Sequence, residues 1–225
     1  RDRLRSRGLG DVYKRQILES NCYVIYAEDH KCFVIDPNNM DAIIEYTKGY
    51  EIEYIGLTHE HYDHIAALNA LRKITDAKVI CSQVCSERMQ DADKNLSSIF
   101  KVQLHFMGKD PNIVVEPYHC EPADITYTES FAMEWEGIPV WFFRAPGHSP
   151  GSAMIVFDDV IFVGDSLSLD HDVIIRKRYG SKEDYKKIVV PFLLAQPQES
   201  MIYPGHGKNF RLSQRITYLK SIKNG

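Results

Sequence analysis

The chain has 225 residues, 44% of them apolar and 26% charged, with a formal net charge of -4. This composition is that of an ordinary globular protein long enough to bury a substantial core. It excludes a membrane span, which needs a run of roughly 18 to 20 apolar residues, and it argues against a nucleic-acid partner, which needs a basic face.

Residues 1–15 show no periodicity and carry Arg1, Arg3, Arg5, Arg7, Lys14 and Arg15 against Asp2 and Asp11. Their wording, RGLGDVYKRQ, resembles translated vector sequence, and we read them as a non-native leader to a single domain over 16–225. No signal-peptide pattern follows the start, so a cytoplasmic location is expected. The five cysteines are odd in number and lack a CxxC spacing. They read as buried or idle thiols rather than a disulfide framework.

From Ile17 onward the pattern becomes regular. Cys22 to Tyr26 and Cys32 to Ile35 are β-rich runs flanking a short polar turn, which predicts an antiparallel hairpin. Asp36-Pro37-Asn38-Asn39 stops the second strand, and Met40 to Tyr46 reads as a helix capped by Asn39 or Asp41. Ile52 to Leu57 reads as a buried strand, His64 to Ile74 as a helix and Lys78 to Cys81 as a further strand. Residues 82–130 are the least regular part and are expected to form a variable insertion over the site, with Val84 to Met89 helical and a turn at Gly108 to Asn112. Strands follow at Phe131 to Trp135, Val140 to Phe143, Ala153 to Phe157 and Val160 to Val163. Tyr185 to Leu194 predicts a helix, Met201 to Tyr203 a short strand, and Leu212 to Ile222 a closing helix.

Between the strand ending at Leu57 and the helix beginning at His64 stands Thr58-His59-Glu60-His61-Tyr62-Asp63-His64. A turn gains nothing in stability from three imidazoles and a carboxylate, whereas zinc, iron and manganese all accept these ligands. In extended chain His59 and His61 project to the same side and can reach one ion. Asp63 and His64 follow where the chain turns, which suits a second ion. Three more donors stand at strand ends beside Gly and Pro: His148 in APGHSPGS, Asp165 in GDS and His206 in PGHG. His30, His105, His119 and His171 read as surface or core histidines, with His171 the nearest to a donor in sequence.

THEHYDH, APGHSPGS, GDS and PGHG, in this order, resemble the signature motifs of the metallo-β-lactamase superfamily. The resemblance implies an α+β fold, the four-layer αββα sandwich of that family, with the metals at one edge of two sheets. It assigns His59, His61 and His148 to one ion, Asp63, His64 and His206 to a second, and Asp165 to both. Two divalent ions are thus expected, zinc foremost, with iron or manganese also suited to the donors. Such a pair shares a water and lowers its pKa toward about 7. Asp63 is the candidate to orient that water and accept its proton.

The carboxylate at Asp165 is similar to that of the glyoxalase II branch, which hydrolyses hydroxyacylglutathione thioesters. A thiolate leaves readily, its acid having a pKa of about 8.5, so a thioester needs little help from a general acid. The stretch after His206 is shorter than the helical extension that binds glutathione in that branch. Arg176, Arg178 and Tyr179 lie on a segment that passes beside the metals in similar proteins, and are candidates to meet an anionic group of a small-molecule substrate. A lactonase or phosphodiesterase on the same donors, a mononuclear iron persulfide dioxygenase and a non-enzymatic metal-binding module are the competing readings. The oligomeric state is not set by the sequence.

Overall fold

The computed structural model describes residues 20–106, 108, 114–176 and 179–224. The leader at 1–15 and all of the expected turn after Gly108 therefore lie outside the described residues. The chain divides into two compact units, an N-terminal one of 20–81 with 86–126 and a C-terminal one of 82–85 with 127–224.

The N-terminal unit is built on a five-stranded sheet of order β1-β2-β3-β4-β5. β1 (Tyr23–Tyr26) and β2 (Lys31–Ile35) form the expected hairpin, with Tyr23 opposite Ile35 and Tyr26 opposite Cys32. β3 (Glu51–Gly56) runs parallel to β2, and β4 (Lys78–Ser82) parallel to β3. Parallel neighbours need crossover connections. The first is α1 (Met40–Tyr46), whose cap is Asn39, its side chain accepting from the Ala42 N–H at 3.0 Å.

The second crossover differs from the single helix expected over 64–74. It is broken into α2 (Tyr62–Ile65) and α3 (Leu68–Arg72). The cause is non-local: the Ala67 N–H donates to the Pro37 carbonyl at 3.0 Å instead of continuing the helical ladder. Ile65, Leu68 and Leu71 are nevertheless fully buried, as their spacing implied.

The 82–130 stretch contains α4 (Gln83–Met89) and α5 (Phe100–Phe106) before β5 (Ile125–Tyr127). Its part within the N-terminal unit is tied down. Asn95 is fully buried and donates to the carbonyls of Met89 and Tyr118 at 3.0 and 2.7 Å. The Tyr118 hydroxyl accepts from the Asn69 N–H at 2.9 Å, and the Tyr62 ring lies between Phe100 and Tyr118 at 4.9 and 5.2 Å.

The C-terminal unit holds a six-stranded sheet of order β11-β10-β9-β8-β7-β6. β6 (Ser130–Trp135), β7 (Ile138–Arg144), β8 (Ala153–Phe157) and β9 (Val160–Gly164) form an antiparallel meander. Its first turn is Glu136-Gly137, both at positive φ, as a two-residue hairpin of this twist demands. β10 (Met201–Pro204) runs parallel to β9, and the two-residue β11 (Phe210–Arg211), missed in the sequence as β5 was, closes the edge.

The crossover from β9 to β10 runs through α6 (Lys182–Asp184), a π-helical turn at Tyr185–Val189 and α7 (Val190–Ala195). Pro191 has no N–H to give to the preceding turn, which fits the widened ladder before it. α8 (Ile216–Asn224) follows a 3₁₀ turn at Leu212–Arg215. Met154, Ile161, Val163, Val189, Leu193, Ile202 and Leu219 form the core of this unit.

Candidate metal centre

In the N-terminal unit the donors stand where β3 ends. Leu57 still pairs with the sheet through the Ile80 carbonyl, and the chain then turns into α2. What orients His59 and His64 is Asp36, just after β2 and in the left-handed region at φ 52°. Its carboxylate accepts from the Thr58 N–H at 2.7 Å, from the Thr58 hydroxyl at 2.5 Å and from His64 Nδ1 at 3.0 Å. Thr58 has a single hydroxyl hydrogen, and Asp36 takes it. The contact of 3.1 Å between Thr58 Oγ1 and His59 Nδ1 therefore has the ring donating to the oxygen.

These bonds settle the tautomers of His59 and His64. Each carries its hydrogen on Nδ1, so Nε2 is the basic nitrogen, the arrangement metal-ligating histidines adopt when a second oxygen holds the ring. The rings are also close together, with His59 centred 4.6 Å from His61 and 4.2 Å from His64. The ligand atoms of Asp36, His59 and His64 lie within 4.8 Å of one another. With three donors already on Asp36, its part is support. Asp63 presents Oδ2 3.7 Å from His64 Nε2, and its backbone carbonyl accepts from Ser20 Oγ at 2.6 Å.

The residue between the two leading histidines, Glu60, is wholly buried and receives Arg88 Nε at 2.5 Å. In extended chain it projects opposite to His59 and His61. Neither Glu60 nor Asp36 was singled out in the sequence. A carboxylate inside a donor motif and an Asp before Pro both look like ordinary turn residues until their buried partners are known.

In the C-terminal unit the donors come from three separate turns. His148 lies between β7 and β8, in a loop closed by the Ala145 N–H on the Ser152 carbonyl at 2.8 Å. Its Nδ1 donates to the Ile174 carbonyl at 2.8 Å, so here too Nε2 is the basic nitrogen. Asp165 follows β9 and His206 follows β10, and the Gly205 N–H on the Gly164 carbonyl at 2.7 Å joins these two turns. Asp165 Oδ2 stands 3.5 Å from His148 Nε2 and 3.6 Å from His206 Nε2.

Those separations exceed a hydrogen bond. Two ligand atoms each about 2.1 Å from a tetrahedral ion lie about 3.4 Å apart. Imidazoles turned Nε2-first and a carboxylate at this spacing therefore fit a divalent ion of the zinc, iron or manganese type.

The candidate substrate segment is closed into a local turn by its backbone. The N–H groups of Tyr179 and Gly180 both donate to the Arg176 carbonyl, at 3.0 and 2.7 Å. Arg176 is exposed and Tyr179 half-buried, while Arg178 lies outside the described residues. His171 is exposed, with Nδ1 on the Asp172 carbonyl at 3.0 Å. All five cysteines are free thiols, and burial pushes those of Cys22, Cys32 and Cys120 up to about 12. Such thiols stay protonated and are poor ligands.

Comparison with known proteins agrees with this chemistry. A probable metallo-hydrolase, YqgX of Bacillus subtilis, is 26% identical over 208 residues, covering 84% of this chain and 86% of its own. A hydroxyacylglutathione hydrolase of Pelagibacter ubique is 27% identical over 178 residues, covering 77% of this chain and 60% of that protein. Among solved structures, the BLEG-1 B3 metallo-beta-lactamase superposes with a TM-score of 0.74 at 24% identity, covering 91% of this chain and 95% of that one. That likeness bears out the expected αββα fold class. None of the described helices is long and apolar enough to cross a membrane. The sequence matches the Metallo-beta-lactamase superfamily over residues 16–206, and the chain belongs to that family.

Proposed function

We propose that the protein is a metal-dependent hydrolase with two divalent ions, zinc foremost, acting on a thioester of the hydroxyacylglutathione type. The observation that carries this reading is Asp165, a carboxylate 3.5 and 3.6 Å from the Nε2 atoms of two histidines. His59, His61 and His148 would hold one ion, Asp63, His64 and His206 the other, with Asp165 shared. Family membership and the hydroxyacylglutathione hydrolase among the relatives support the assignment.

When bound, the ions supply Lewis acidity toward a carbonyl oxygen and lower the pKa of a water toward about 7. The rest of the work falls to the chain. Asp63, its backbone held by Ser20, orients the attacking water and accepts its proton on the carboxylate. Asp36 and Thr58 keep the His59 and His64 rings in the one tautomer that presents Nε2. Arg176, Arg178 and Tyr179 meet an anionic group of the substrate. The departing thiolate needs no strong acid.

Hydrolysis of S-lactoylglutathione by the metal-loaded protein tests this reading. The parent is expected to turn it over, and Asp63→Ala to lose about a hundredfold or more in kcat. Absence of turnover with metal bound would reject the thioester and move the search to lactones, phosphodiesters and persulfides. An unchanged rate in Asp63→Ala would reject the role given to Asp63.

A further inference from the structure

Tyr185 opens the π-helical turn of the crossover and is 1% exposed. Its position in the helix pattern asks only for an apolar side chain, and phenylalanine would fill that need. The tyrosine does more, because it touches the two turns that carry His148 and Asp165.

On one side the ring lies against Gly147, the residue before His148. A Cβ built on Gly147 would fall 2.8 Å from both Cβ and Cδ2 of Tyr185, so the ring occupies the space of a side chain there. On the other side the hydroxyl donates to the carbonyl of Ser166, the residue after Asp165, at 2.8 Å. Burial holds the phenol well above its ordinary range, so it remains a donor at any working pH.

The neighbouring segment reinforces the grip on the His148 turn. The Ser181 N–H donates to the Gly147 carbonyl at 2.8 Å, and a Cβ on Gly180 would run into the carbonyl oxygens of Gly147 and His148. The His148 turn is thus held between Gly180 and Tyr185.

We infer that Tyr185 is a positioning residue for the metal centre, its ring and hydroxyl together fixing the separation of the His148 and Asp165 turns. The inference rests on the reading of those two residues as ligands. It assigns the hydroxyl a purpose that a core position does not require.

Tyr185→Phe keeps the ring and removes only the bond to Ser166. Its affinity for zinc, measured on the full chain by competition with a chromogenic chelator, is expected to fall about tenfold. The absorption spectrum of the cobalt-substituted protein is expected to shift, while the far-UV circular dichroism of the metal-free protein stays as in the parent. An unchanged affinity and cobalt spectrum would overturn the inference and leave Tyr185 a core residue. Should this variant fail to fold, Gly147→Ala is the second test, since its methyl group would fall against Cβ, Cδ2 and Cα of Tyr185; parent-like zinc affinity there would again overturn the inference. A parent that binds no zinc would overturn the metal-centre reading as well, which separates that failure from this one.

Discussion

In the N-terminal unit the donors lie between His59 and His64, and two of them, His59 and His64, are oriented by polar partners, Asp36 and Thr58. In the C-terminal unit His148, Asp165 and His206 come from three turns far apart in sequence, and packing sets the first of those turns: Gly147 has no room for a Cβ, and Tyr185 wedges against it. A contiguous motif needs something to stop its rings rotating, and hydrogen bonds do that. Dispersed donors need their turns set at fixed separations, which a rigid ring and bare backbone achieve. Chemical substitutions should therefore damage the first unit most, and added volume the second.

The largest effect is expected at the buried ion pair behind the motif. Arg88→Ala leaves the Glu60 carboxylate buried without its cation, and breaking such a pair costs about 3–5 kcal/mol. Urea denaturation of the metal-free protein checks this. A loss no larger than for a surface substitution would show that Glu60 finds water or another partner.

Asp36→Ala is expected next, at about 3 kcal/mol, because three donors lose a charged acceptor at once. Unlike the first, this change also frees the imidazoles, so zinc affinity should fall roughly 10- to 100-fold. Chelator competition on the folded variant reads that difference. Retained affinity would mean that packing alone orients His59 and His64, and the contrast between the units would collapse.

At the small end stands Lys187, which bonds Glu183 in the C-terminal unit at 2.5 Å, the same distance as Arg88 to Glu60. Both side chains are exposed, and Lys187→Ala should leave the denaturation midpoint unmoved. The two pairs share a distance and differ in burial, and the contrast between the two variants tests whether burial gives the first its weight.

Much of this was legible in the residues. The hairpin at β1 and β2, the strand leading to the motif and the antiparallel meander follow from β-rich runs, and turns such as Glu136-Gly137 mark the boundaries. The donor motif showed itself because its residue types serve no local structural end. What escaped depends on partners distant in sequence. The break between α2 and α3 comes from a bond to Pro37, the support role of Asp36 from a residue 28 positions later, and the burial of Glu60 from Arg88. β5 and β11 are too short to show a period, and Tyr185 reads as an apolar helix position until its hydroxyl is found on Ser166.

The most direct test of the central claim, that the differently built donor sets of both units bind metal, is the metal content of the purified chain by equilibrium dialysis and elemental analysis. The account predicts two ions per chain in the parent, with His64→Ala and His148→Ala, one from each unit, each binding fewer. A parent that holds no metal, or two such variants that both retain the parent content, would contradict it.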